Sequence, residues 1–96
     1  MKKIEVADIR DILKDIMTDE IYLAKVADKS DEELLKTDLS GELYLDSLDF
    51  ADMNGEVEYR FAIHVQQNNR LVEREFDNNP TVENYIKWVN SYVQDV

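Results

Sequence analysis

Cysteine is absent from the 96 residues, which removes disulfides, thiolate metal sites and thiol nucleophiles in one step. Any thiol chemistry has to come from a bound group. Two glycines and a single proline leave little turn chemistry for a sheet, whereas the helix formers Leu, Glu, Lys and Ala are plentiful. An all-α domain is expected. Long apolar runs are also missing: none approaches the roughly 18 residues that span a bilayer, and Met1-Lys2-Lys3 leads into amphipathic sequence rather than a signal-peptide core. A cytoplasmic chain without membrane insertion is the expectation. Positive charge is scarce as well, with 11 Lys and Arg against 22 Asp and Glu and a formal net charge of -11. Such a surface repels nucleic-acid phosphates and anionic membranes and favours partners with basic patches. The length fits one domain, residues 1–96, with one modest core.

Apolar periodicity supplies the helices. From Ile4 to about Met17, Val6, Ile9, Leu13 and Ile16 recur at spacings of three, four and three, with Asp8, Arg10, Asp11 and Lys14 between them, which predicts an amphipathic first helix. Thr18-Asp19-Glu20 can cap a continuation or a restart through Val26. Ser30-Asp31-Glu32-Glu33 before Leu34-Leu35 is a capping-box pattern and predicts a single helical turn inside a long connection that ends at Ser40-Gly41.

The next stretch, Leu45-Asp46-Ser47-Leu48-Asp49-Phe50, turns loop into helix. Asp46 is the N-cap candidate, Ser47 the first helical residue, and Asp49 adds charge favourable to the helix dipole. Ser47 is thereby placed exposed at a helix start. Phe50, Met53, Val57 and Phe61 then form one apolar face of a second helix from Ser47 to Phe61. The spacing runs unbroken through Asn54-Gly55, so the helix is read as continuous. Asp49, Asp52, Glu56 and Glu58 lie on the other faces beside Leu48, Ala51 and Gly55. Ala62-Ile63-His64-Val65 reads as a short extended link, and Gln66 to Asp77, polar except for Leu71, Val72 and Phe76, as a short third helix. Asn78-Asn79-Pro80-Thr81 predicts a last helix with Asn79 as cap and Pro80 at its first position. Its buried stripe is Val82, Tyr85, Ile86, Val89 and Val93. Tyr85, Trp88 and Tyr92 are spaced as ordinary core and core-edge residues.

These features, taken in order, resemble the acyl carrier proteins over nearly the whole chain. The resemblance rests on Asp38-Leu39, Asp46-Ser47-Leu48-Asp49, the acidic helix ending in Phe61, the Ile63-x-Val65 link, and Thr81-Val82 leading into Tyr85-Ile86-x-Trp88-Val89. It implies an antiparallel four-helix bundle of acyl-carrier-protein type, monomeric, with a long loop between the first two helices. It further implies that Ser47 carries a covalent 4'-phosphopantetheine, attached by a phosphopantetheinyl transferase, whose thiol holds acyl intermediates as thioesters. The protein would then be no enzyme but a substrate of acyl-transferring, condensing or ligase enzymes with basic docking patches, in fatty acid, polyketide or related biosynthesis. Asp46, Leu48, Asp49, Ala51, Asp52, Gly55, Glu56 and Glu58 would form the docking face. Three departures stand out. Tyr44 occupies a position two residues before Asp46-Ser47 where the family usually has glycine, the first loop is longer than is common, and Asn54 and Gly55 stand where apolar residues are usual.

Other chemistries fit less well. The chain supplies no base for Ser47, since the single histidine, His64, falls in the link between helices. With Gly55 at the sixth position of a calcium loop the first ligand would be Phe50, so the EF-hand pattern fails. The alternative from another class is an unmodified helical interaction module that keeps the fold and has no arm.

Overall fold

The computed structural model describes residues 3–62 and 70–92. Among them lie six helices and no strand: α1 (Val6–Ile16), α2 (Glu20–Asp28), α3 (Asp31–Leu35), α4 (Ser47–Phe61), α5 (Arg70–Asn78) and α6 (Val82–Asn90). The all-α class holds. α1 packs against α2, α3, α4 and α6, and α6 also receives α3 and α5. The first and last amphipathic helices thus share one core. A reciprocal clamp ties their ends together, with Asn90 Nδ2 donating to the Ile4 carbonyl at 3.0 Å and the Ile4 N–H donating to Asn90 Oδ1 at 2.8 Å.

The expected stripe of α1 is inward, Ile9 and Leu13 fully so, and it is widened by Ile4 and Ile12. The continuation after Thr18 is a restart: Asp19 caps α2 by accepting from the Ile21 N–H. Arg10 holds the two neighbours of α1 in place, reaching the Val26 carbonyl at the end of α2 and Asp31 at the start of α3. The capping box of α3 forms as the sequence predicts, Ser30 and Glu33 each accepting the other's backbone N–H. Hydrogen bonding from the Ser30 backbone N–H, and secondarily from its hydroxyl, holds the Glu33 carboxyl below its ordinary pKa.

α4 has the predicted bounds and runs unbroken through Gly55. Met53 and Val57 are fully buried, but Phe50 and Phe61 are only half-buried. Phe61 is therefore not the deep core residue its spacing promised, because it lies in the last turn of the helix, where the packing opens. Arg60 fixes that turn instead, pairing with Asp15 of α1 and, at 2.9 Å, with Glu56. Ala62 ends the helix in the left-handed conformation, φ 53°, and so is a C-cap rather than part of an extended link. Residues 63–69, with the rest of that link and the start of the expected third helix, lie outside the described residues, as does Val93.

The start of the last helix departs from expectation. Asn79 and Pro80 do not open α6; Thr81 is the N-cap and Val82 the first helical residue. The Asn79 N–H donates to the Glu75 carbonyl and closes α5. Pro80 and Thr81 are drawn into extended pairing with the loop before α4. Asp38 and Thr81 form an isolated antiparallel bridge, the Leu39 N–H donates to the Pro80 carbonyl at 2.8 Å, and the Val82 N–H donates to the Thr37 carbonyl at 3.1 Å. This pairing turns the long connection into a fixed strap. Leu39, Leu43 and Leu45 are all buried beneath it, and Asp38 folds its tip by accepting from the Ser40 and Gly41 N–H groups at 2.8 and 2.7 Å. A Cβ on Gly41 would stand 3.2 Å from that carboxylate, a tight contact that any larger residue would have to displace.

Candidate functional site

The strap delivers the chain to Asp46 with its backbone extended, and a reciprocal box starts α4: Asp46 Oδ1 accepts from the Asp49 N–H at 2.9 Å, and Asp49 Oδ2 accepts from the Asp46 N–H at 3.0 Å. Both carboxylates are thereby committed to local backbone. Ser47 occupies the first helical position and is exposed, and its hydroxyl has no hydrogen-bond partner among the described residues. Tyr44, just upstream, adopts φ 56°, the left-handed conformation that glycine takes most readily. A non-glycine residue there costs on the order of 1 kcal/mol. Packing of the Tyr44 ring on Tyr22, centroids 5.6 Å apart, offsets part of that strain.

Downstream of Ser47, Leu48, Ala51, Asp52 and Gly55 are exposed, with Leu48 at 74%. Leu48, Ala51 and Gly55 follow one another along one helical face, so the proposed apolar strip is continuous. Nothing stands within 4 Å of a Cβ built on Gly55. The acids divide by role. Asp46 and Asp49 cap the helix, Glu56 pairs with Arg60, and Glu58 is half-buried and near enough to Tyr85 to act on its phenol. Asp52 is the acid of this set with no hydrogen bond or ion pair among the described residues.

Ser47 also borders an open cavity of about 420 Å³, whose rim shares Ala51 with that strip. Phe50 and Ala51 of α4, Phe76 of α5, and Pro80 and Trp88 make its apolar wall, while Ser40, Ser47 and Asp77 add polar groups. The aromatic residues brace one another. Phe76 stacks on Trp88 with centroids 5.5 Å apart and meets Phe50 and Tyr85 edge-on at 5.7 and 5.5 Å. Trp88 Nε1 donates to the Tyr92 hydroxyl at 3.1 Å, so the indole N–H already has a partner. Asn54 also lines the cavity, and its Oδ1 accepts from the Tyr85 hydroxyl at 2.7 Å. Burial raises the Tyr85 phenol far above its ordinary value, with a smaller contribution from the Glu58 charge.

Sequence patterning reached Ser47 and its exposure but not this cavity. Its walls come from the strap, α4, α5, the residues before α6, and α6 itself, and no local pattern joins them. Asn54 was the visible signal: a polar residue seven positions after Ser47 on the same helical face, at a point where the core spacing would tolerate an apolar one. His64 lies outside the described residues. No helix among the described residues is long and apolar enough to cross a membrane. Comparison with protein-family models, with curated proteins and with solved structures gave no match.

Proposed function

We propose that this chain is a discrete carrier protein whose Ser47 accepts 4'-phosphopantetheine from coenzyme A. One observation carries the reading: an exposed serine with an uncommitted hydroxyl stands at the first position of a rigidly capped helix, on the rim of an apolar cavity. In this view α1, α4, α5 and α6 are the four helices of a carrier-type bundle, and α2 and α3 lie in its long first loop. The chain acts as a monomer in the cytoplasm.

The residues present fit an acceptor rather than a catalyst. Asp46 and Asp49 are the nearest carboxylates in sequence, and both accept from backbone, so neither is offered as a base for the hydroxyl. The proton must leave to a base on the transferase as the Ser47 Oγ–phosphorus bond forms and adenosine 3',5'-bisphosphate departs. The added group supplies a terminal thiol that holds an acyl chain as a thioester. The helix N-terminus beneath Ser47 favours the new phosphodiester charge. Leu48, Ala51 and Gly55 supply an apolar strip for transferases, condensing enzymes or ligases, and the chain's overall negative field steers their basic patches to it. Asp52 is the local charge best placed to be read by a partner, because the neighbouring acids are engaged.

Intact mass spectrometry after incubation with coenzyme A and a broad-specificity phosphopantetheinyl transferase tests this. A single addition is expected, lost in Ser47→Ala, whose stability should stay within about 0.5 kcal/mol of the parent. Asp52→Lys should slow the addition without abolishing it, with a penalty that shrinks as salt rises. No mass shift with any of several transferases, or an equal shift in Ser47→Ala, overturns the carrier reading in favour of the unmodified interaction module.

A further inference from the structure

Building on the carrier reading, we propose that the cavity beside Ser47 selects an oxygenated acyl group, one whose chain bears a keto or hydroxyl oxygen that accepts a hydrogen bond from Asn54 Nδ2. Asn54 interrupts a wall otherwise made on this side by Phe50, Ala51, Phe76 and Trp88. It sits seven residues after Ser47, about 10 Å along the helix axis at 1.5 Å per residue, so its part of the lining lies away from the attachment point.

The orientation of its amide is set from behind. Tyr85 is fully buried, its ring held edge-on against Phe76 and Trp88, and its hydroxyl donates to Asn54 Oδ1. With the amide turned over, Nδ2 would face the phenol and the buried hydroxyl proton would lose its acceptor. The donor end of Asn54 is therefore the end left over, and among the described residues nothing accepts from it. A plain alkyl chain filling the cavity would strip water from that donor and return nothing, whereas an oxygen on the chain would replace the lost bond. A carboxylate on the chain would meet the like charge of Asp77, a residue that also lines the space, so an uncharged oxygen fits better.

Trp88, the single tryptophan of the chain, lies in the cavity wall and reports on what enters. The test loads the full chain from octanoyl-, 3-oxooctanoyl-, 5-oxooctanoyl-, 7-oxooctanoyl- and 8-aminooctanoyl-coenzyme A, with intact mass confirming each load. Protection of the thioester from hydroxylamine, Trp88 emission and the Asn54 side-chain amide resonances are then followed. At least one oxo isomer should be protected about five-fold better than octanoyl, the factor expected of one net hydrogen bond, with shifted Asn54 amide signals. Asn54→Leu should reverse that order. Octanoyl or aminooctanoyl protected as well as every oxo isomer in the parent chain overturns the selectivity and leaves the carrier reading standing. An oxo preference that persists in Asn54→Leu also overturns it. Failure of every load at Ser47 removes both.

Discussion

The starts of α4 and α6 flank the same cavity, yet they are held in different ways. At α4 everything is local: Asp46 and Asp49 satisfy each other's backbone, and among the described residues no distant segment hydrogen-bonds to the cap. At α6 a single side chain, Thr81 Oγ1, accepts from the Asn84 N–H at 3.2 Å, while the flanking backbone is engaged by the strap through Thr37, Asp38 and Leu39. The first arrangement leaves a serine open to a partner. The second closes the opposite wall of the cavity. Local capping rules locate a helix start where only neighbours compete for its backbone, and they lose where a strand-like contact from elsewhere claims the same groups.

The comparison can be broken most forcefully at Leu39. If the strap holds the start of α6, Leu39→Ala should cost about 3 kcal/mol in denaturant unfolding and should speed hydrogen exchange at the Val82 amide. A loss under about 1 kcal/mol, or unchanged exchange there, would show that α6 holds its own start. Alkaline pH probes the next level. The folded-state pKa of Tyr85 lies above its ordinary value of about 10, so the neutral phenol contributes stability that is fully present below pH ~10 and is lost as pH rises beyond it. The expected loss approaches 1.4 kcal/mol per pH unit. Tyr85→Phe should be less stable at neutral pH but should fall less steeply above pH ~10; an identical slope would remove Tyr85 as the cause. The smallest effects distinguish the caps themselves. Asp46→Ala and Thr81→Ala should each cost about 1 kcal/mol, but only the first should fray the start of α4 in amide exchange. The strap should keep the start of α6 protected even without the Thr81 hydroxyl. Equal fraying at both starts would erase the difference.

Much of the helical framework was legible from the sequence because its determinants are close in the chain. The α1 stripe, the Ser30–Glu33 box and both ends of α4 follow from spacing and capping within a few residues. Gly55 did not break α4 because it lies on the exposed face, where its cost is limited to helix propensity. The misplaced start of α6 has the opposite cause: Pro80 is a good first helical residue by local rules, but its carbonyl is taken by Leu39, about forty residues earlier. Phe61 fits the core period yet lies where the packing opens. At the site, the cap and exposed hydroxyl of Ser47 are local facts and were readable. The cavity and the Asn54–Tyr85 pair are products of assembly, and only the oddity of an asparagine on that face hinted at them.

Gly55 offers a practical use of its emptiness. A chain with no native thiol can be given one at a chosen place, and Gly55→Cys would put it on an exposed helical surface with no atom in its way. It lies about 12 Å along α4 from Ser47, at 1.5 Å per residue, on the face proposed for partner docking. A dye or spin label fixed there would sense a docking enzyme by quenching or immobilisation while the serine remained free to react. Cysteine also improves on glycine in helix propensity, so the labelled helix should hold its shape.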